Sequence, residues 1–139
     1  MLFRSRFVVK IDDYFGSIER SLNQNPQISK IEEPIILLTS DDYNGLIRCR
    51  VTFWDGSFLD IYEVISTELG YPVRINYAYT YLRNDQLFFR YDNAPHHPEI
   101  ATHPHHKHIG PKDRLAPADQ PNLGQIFAEI EALLGQLAE

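Results

Sequence analysis

The clearest pattern near the two ends of the chain is helical. Apolar residues recur at steps of three and four over residues 8–22, with charged residues between them, as expected for a helix with one buried face. A second apolar stripe covers residues 123–137, and Asn122 stands before it as an N-cap. We therefore predict an amphipathic helix near each end.

Between these helices the apolar period changes to two, which is typical of half-buried strands. Four segments show it, separated by turn residues: 46–54, 58–65, 73–82 and 87–93. Residues 28–39 also read as extended, and Pro34 within them favours a sheet edge. The prediction is an α+β fold, in which an antiparallel meander sheet of four to five strands is flanked by an N-terminal and a C-terminal amphipathic helix.

Length and composition narrow the class of protein. The 139 residues, 43% of them hydrophobic, suit a single domain over residues 1–139. Cys49 is the lone cysteine and cannot form an intramolecular disulfide. The N-terminus lacks a secretory signal pattern, and no apolar run approaches the roughly 18 to 20 residues of a membrane span. We expect a cytoplasmic protein that does not associate with membranes.

The charge distribution is uneven. The net charge of −6 argues against a protein that coats nucleic acid through bulk electrostatics. Residues 74–114, however, hold six Lys or Arg against four Asp or Glu, and they include all six histidines. Residues 94–121 are rich in proline and histidine and lack an apolar period, so we predict a long loop that is either disordered or functional.

The histidine-rich segment suits proton transfer, because imidazole titrates near pH ~6.5. One neutral and one protonated histidine can cleave a phosphodiester as general base and general acid without a cofactor. An Arg or Lys beside them would stabilise the negative charge of the transition state, and a carboxylate would orient an imidazole. The predicted catalytic residues are Arg90, Asp92, His96, His97, His106, Lys107 and His108.

Glu63 is a further catalytic candidate, because it shares a strand face with Leu59, Ile61 and Ile65. Burial among apolar neighbours would raise the pKa of its carboxyl. The alternative is a position at the margin of the sheet, where Glu63 reaches water or pairs with a cation such as Arg74 or Arg90.

A metal site is an alternative interpretation of the same histidines. Alternate side chains of an extended chain point the same way, so H-x-H spacing can chelate a divalent transition metal. Carboxylates at Asp92, Glu99 or Glu63 could add oxygen ligands. A solvated linker without any ligand is the third interpretation. The predicted metal ligands are His103, His105, His106 and His108.

Two runs, 89–97 and 103–108, resemble the TumE-type toxin family, whose members are small bacterial proteins encoded beside a helix-turn-helix antitoxin. Residues 53–63 and 77–79 are similar to that family as well. The resemblance implies a growth-inhibiting toxin that is neutralised when its antitoxin binds it.

Two hypotheses follow for function. In the first, the toxin cleaves RNA by histidine acid–base chemistry and requires no cofactor. In the second, the histidine segment serves a non-enzymatic module that binds a metal, the antitoxin or a second copy of the chain as a homo-oligomer.

Overall fold

The computed structural model describes residues 9–32 and 36–136. These residues form two helices and eight strands: α1 Ile11–Gln24, β1 Ile28–Ile31, β2 Ile36–Thr39, β3 Asn44–Phe53, β4 Phe58–Ser66, β5 Val73–Arg83, β6 Gln86–Asp92, β7 His106–Ile109, β8 Arg114–Pro117 and α2 Leu123–Leu133. The predicted α+β class and the two predicted helices are confirmed. Val8, Pro34 and Leu137, on which parts of the predictions rest, lie outside the described residues.

The strands form one antiparallel sheet in the order β1-β3-β4-β5-β6-β7-β8, and β2 also pairs with β3. Strands β3 to β6 are the predicted meander. Asn84 and Asp85 connect β5 to β6 with backbone φ angles of 52° and 61°. Left-handed residues at both central positions form the two-residue turn that matches the twist of a hairpin.

The prediction of four to five strands was too low. Residues 94–121, which we expected to form a loop, contain β7 and β8. Each has four residues and lies among prolines, so neither is long enough to show a clear period. Gly110, between them, packs against β6, where a Cβ atom would stand 1.8 Å from the carbonyl oxygen of Leu87. This glycine allows the turn after β7 to lie close to the sheet.

Both helices pack on one face of the sheet and share its core. The side chain of Asn122 caps α2 by accepting a hydrogen bond from the backbone N–H of Gln125 at 2.8 Å. The core is made by the apolar stripes of the helices and by alternate residues of the strands: Ile11, Phe15, Ile18, Leu22, Ile47, Cys49, Val51, Phe53, Leu59, Ile61, Ile65, Tyr77, Tyr79, Tyr81, Phe89, Ile126 and Ile130.

One position departs from the period of two along residues 73–82. That period places Ile75 on the face of Tyr77, but Ile75 is 51% exposed whereas Tyr77 is 2% exposed. A bulge interrupts the pairing of β4 with β5, so that Val64 faces Asn76 while Ile65 faces Arg74. An extra residue in one strand breaks the alternation there and turns its side chain away from the core. Among the described residues, no helix is both long and apolar enough to cross a membrane.

Burial in this core predicts the effect of removing an anchor of α2. Ile126 is fully buried, so Ile126→Ala should lower the free energy of unfolding by about 2–5 kcal/mol. Ile75→Ala makes the same chemical change at an exposed position and should cost less than about 1 kcal/mol. Urea unfolding of both variants measures the difference, and equal losses would show that α2 does not depend on this contact.

Candidate functional site

The site is built around Asp92, the last residue of β6, which is 4% exposed. In the pairing of β6 with β7, Asp92 faces His106 and Arg90 faces His108. Alternate residues of a strand share a face, and these four lie on the face away from the helices. The antiparallel return of the chain therefore places two predicted histidines beside the predicted orienting carboxylate.

Four groups contact the carboxylate of Asp92. Oδ1 lies 2.9 Å from Nε2 of His106 and accepts from the backbone N–H of Ala94 at 2.9 Å. Oδ2 accepts from Nε of Arg90 at 2.9 Å and lies 3.4 Å from Nε2 of His108. Desolvation opposes ionisation of this carboxyl, but the Ala94 and Arg90 hydrogen bonds and the charge of His106 together lower its pKa. Asp92 is thus held as an anion inside the protein.

His106 is enclosed between two acceptors. Its ring is 2% exposed, with Nδ1 2.9 Å from the carbonyl oxygen of Pro104 and Nε2 against Asp92. A carbonyl and a carboxylate both accept, so the ring satisfies both contacts only when each nitrogen carries a proton. His106 cannot offer a lone pair to a ligand without losing one of these contacts.

His97 and His108 complete the histidine cluster, which consists of His97, His106 and His108. The ring centroid of His97 lies 5.1 Å from that of His106 and 6.0 Å from that of His108. The side chains of His97 and His108 remain 33% and 18% exposed. Both line a cleft of about 480 Å³, together with Thr80, Arg90 and other residues. His106 lines the same cleft, but its ring is 2% exposed, so His97 and His108 are the imidazoles that a bound molecule can reach.

Asp113 is a site residue that the sequence predictions missed. Its Oδ1 lies 2.8 Å from Nδ1 of His108, and it lines the same cleft. Asp113 has a left-handed backbone with φ of 56°, in the turn that joins β7 to β8. Turn residues at Gly110 and Pro111 indicated that the chain reverses there, and a reversal brings residue 113 back beside residue 108.

The other predicted histidines lie outside the cluster. His96 is exposed at the edge of the cleft. His103 is exposed as well, with Nδ1 3.2 Å from the carbonyl oxygen of His97. His105 stacks on Tyr77, and its Nδ1 is 2.8 Å from the tyrosine hydroxyl. Burial lowers the pKa of His105, and the nearby charge of Arg74 lowers it further.

Lys107 points away from the histidine cluster. Its Nζ lies 2.6 Å from Oε2 of Glu129 on α2 and 4.9 Å from the ring centroid of Tyr91. The hydroxyl of Tyr91 donates to the same carboxylate at 2.6 Å. Lys107 therefore attaches α2 to the sheet, on the face opposite His106 and His108.

Glu63 also lies on the helix face and is 1% exposed. The Tyr14 hydroxyl donates to its Oε1 at 2.5 Å, and the Tyr79 hydroxyl donates to Oε2. Nη1 of Arg74 donates to the Tyr79 oxygen at 2.7 Å. Burial first, and then the charge of Glu63, raise the pKa of both tyrosines. Glu63 links α1 to the sheet, and it does not reach the histidine cluster.

The predicted set of metal ligands is only partly brought together. His106 and His108 meet, but His97 takes the place expected for His103 and His105. One ligand atom from each member of the cluster lies within 4.8 Å of the others. Oε2 of Glu99 stands 3.6 Å from Nδ1 of His97, at the margin of this group. Three imidazoles at this spacing could hold a transition metal if His106 gave up a hydrogen bond.

The family model for Toxin TumE matches residues 26–134 of the chain. The chain belongs to the TumE toxin family. The matched region contains the whole histidine cluster with Arg90, Asp92 and Asp113. Membership supports a toxin role for this TumE-family chain and suggests an antitoxin partner. Comparison with curated proteins found no match, and comparison with solved structures found none either.

The contacts of Asp92 predict the stability of this TumE-family protein. Asp92→Asn should lower the free energy of unfolding by about 3 kcal/mol, because it breaks a buried ion pair and leaves His106 facing a neutral amide. Asp113→Asn, at a side chain that is 64% exposed, should cost less than about 1 kcal/mol.

The pH dependence supplies an independent check. The folded-state pKa of Asp92 lies below its usual value. Its ionised form therefore contributes stability that is present above about pH 4 and is lost as the pH falls through the folded pKa. Stability curves from pH 7 to pH 2 should fall less steeply for Asp92→Asn than for the wild type. Curves of the same slope below pH 4 would contradict the assignment.

Proposed function

We propose that this toxin inhibits growth by cleaving RNA, with His97 and His108 as the general acid–base pair. The observation that supports this most is their position at one cleft, where each remains partly exposed beside the exposed Arg90. His106 shares the cluster, a carboxylate partner and the lining of this cleft, but its ring is only 2% exposed, so we assign the proton transfers to His97 and His108.

The chemistry requires two proton transfers. One imidazole removes the proton of an RNA 2′-hydroxyl, and that oxygen attacks the adjacent phosphorus. The bond from phosphorus to the 5′-oxygen breaks, and the other imidazole gives that oxygen a proton, leaving a 2′,3′-cyclic phosphate and a 5′-hydroxyl. Nδ1 of His108 lies 2.8 Å from Oδ1 of Asp113, whereas Nε2 makes only a longer contact of 3.4 Å with Oδ2 of Asp92, so Nε2 is the atom that would exchange the proton. The ring of His97 would supply the complementary step.

Arg90 supplies positive charge in this proposal. Its Nε is paired with Asp92, and its Nη1 lies 3.5 Å from Oγ1 of Thr80, so the guanidinium is held over the sheet at the cleft. A fixed cation at this position would stabilise the charge that develops on the phosphate oxygens. Asp92 and His106 position the pair, whereas Lys107 and Glu63 hold the helices.

The antitoxin is the expected partner, and the family resemblance implies a helix-turn-helix protein that neutralises the toxin by direct binding. The site of action would be the cytoplasm, where RNA is accessible. A metal-binding, non-enzymatic module is the second candidate, and the spacing of the three imidazoles favours it.

Substitution of each histidine distinguishes these functions. His97→Ala and His108→Ala should each reduce cleavage of a single-stranded RNA by about 10²–10⁴-fold, because each removes a proton-transfer group. His96→Ala, at the exposed edge of the same cleft, is the matched control and should retain activity. The reaction of the wild type should survive EDTA and follow a bell-shaped pH profile.

A metal-dependent function predicts the opposite response. If cleavage depends on a metal, chelation would stop it and zinc, nickel or manganese would restore it, and each substitution in the cluster would lower metal content. A non-enzymatic metal-binding module would show the same loss of metal content and would cleave no RNA. If the purified protein, with or without metal, cleaves no RNA and yet arrests growth, the proposed RNA cleavage is wrong.

A further inference from the structure

A second groove adjoins the cleft on the helix-free face of the sheet. Its volume is about 600 Å³, within the roughly 300–1,000 Å³ that small-ligand sites commonly have. Thr80 and Arg90 line both the groove and the histidine cleft. A molecule bound in the cleft can therefore extend into the groove without leaving the surface.

The strand register explains the shape of the groove. Ala78 on β5 lies between Tyr62 on β4 and Asp92 on β6. Its neighbour on the same face, Thr80, lies between Asp60 and Arg90. Cross-strand partners share a face of the sheet, so the short side chains of β5 form a trough between larger side chains of β4 and β6.

The groove carries an aromatic surface and cationic groups at its far wall. Arg48 is exposed, and its guanidinium carbon lies 4.8 Å from the ring centroid of Tyr62. Arg50 is exposed as well and binds the two oxygens of Asp60 at 2.7 and 3.0 Å. Bases stack on aromatic rings and on guanidinium planes, whereas phosphates pair with the charge of arginine.

We propose that this groove binds the nucleotide next to the scissile phosphate of a single-stranded RNA. The base would lie over Ala78 against Tyr62 and Arg48, and its phosphate would face Arg90 at the junction with the histidine cleft. The proposal rests on the proposed function, since it extends the substrate from the same site. Asp60 and Glu32 also line the groove, and their negative charge limits it to one nucleotide instead of a continuous phosphate track.

Two variants test the groove and leave the histidine cluster unchanged. Ala78→Ile fills the trough with a β-branched side chain, which strands favour, so the variant should fold. Arg48→Met removes a cation at the far wall. Arg20→Met is the matched control, because Arg20 is exposed on α1 and the helices cover the opposite face of the sheet. Urea midpoints of all three should stay near that of the wild type.

Binding is measured by fluorescence anisotropy with a labelled 2′-O-methyl RNA hexamer, which cannot undergo attack by a 2′-hydroxyl. Ala78→Ile should weaken binding about 10-fold or more, because it displaces a stacked base. Arg48→Met should weaken binding less and should leave the slope of log K against log salt near that of the wild type, because Arg48 contacts the base and not a phosphate. Arg20→Met should bind like the wild type.

Cleavage of the matching unmodified hexamer separates this inference from the proposed function. The groove variants should raise KM more than they lower kcat, whereas His97→Ala should lower kcat. Groove-dependent binding without cleavage would support the groove and overturn the cleavage mechanism. Cleavage and binding that Ala78→Ile leaves unchanged would overturn the groove alone. Loss of antitoxin binding in Ala78→Ile, with RNA binding intact, would assign the groove to the protein partner and overturn the proposal.

Discussion

The buried charge of Asp92 is the constraint on which the rest of the site depends. A carboxylate removed from water is costly unless cations and N–H donors surround it. Arg90 comes from the same strand, Ala94 from the start of the following loop, and His106 from the strand that returns. The Asp92 carboxylate therefore joins the end of β6 and the start of the following loop to β7. This contact also fixes the position of His108, which lies on the same strand as His106.

The two faces of the sheet carry different parts of the molecule. On the helix face, polar side chains make contacts that attach α1 and α2, through Glu63 with Tyr14 and through Lys107 with Glu129. On the other face, the histidine cluster and the adjoining groove stay uncovered by the helices. The alternation of side chains along β7 places its residues on both faces. His106 therefore points toward the cluster, and its neighbour Lys107 points toward α2.

Much of the fold could be predicted because its longer elements repeat a pattern several times. The two helices and strands β3 to β6 are long enough for their apolar residues to show a helical or an alternating period in the sequence. Strands β7 and β8 have four residues each, which is too short to show a period. Because β7 was not predicted, its alternation could not show that Lys107 faces away from His106. Asp113 was missed for a related reason, since only the turn after β7 brings it to His108. His97 belongs to the cluster because its ring contacts those of His106 and His108. This is a tertiary contact, so no local pattern could favour His97 over His103 or His105. Likewise, Ile75 is exposed because of a bulge, which no local sequence pattern indicates.

The chemical ends of the RNA products test the central claim most directly, namely that two imidazoles cleave RNA without a metal. Wild-type protein in EDTA should convert a single-stranded RNA to fragments with 2′,3′-cyclic phosphate and 5′-hydroxyl ends, identified by mass spectrometry. The same strand with deoxyribose at every position should stay intact, because the attacking hydroxyl is missing. Fragments with 5′-phosphate ends, or cleavage of the deoxy strand, would contradict the account.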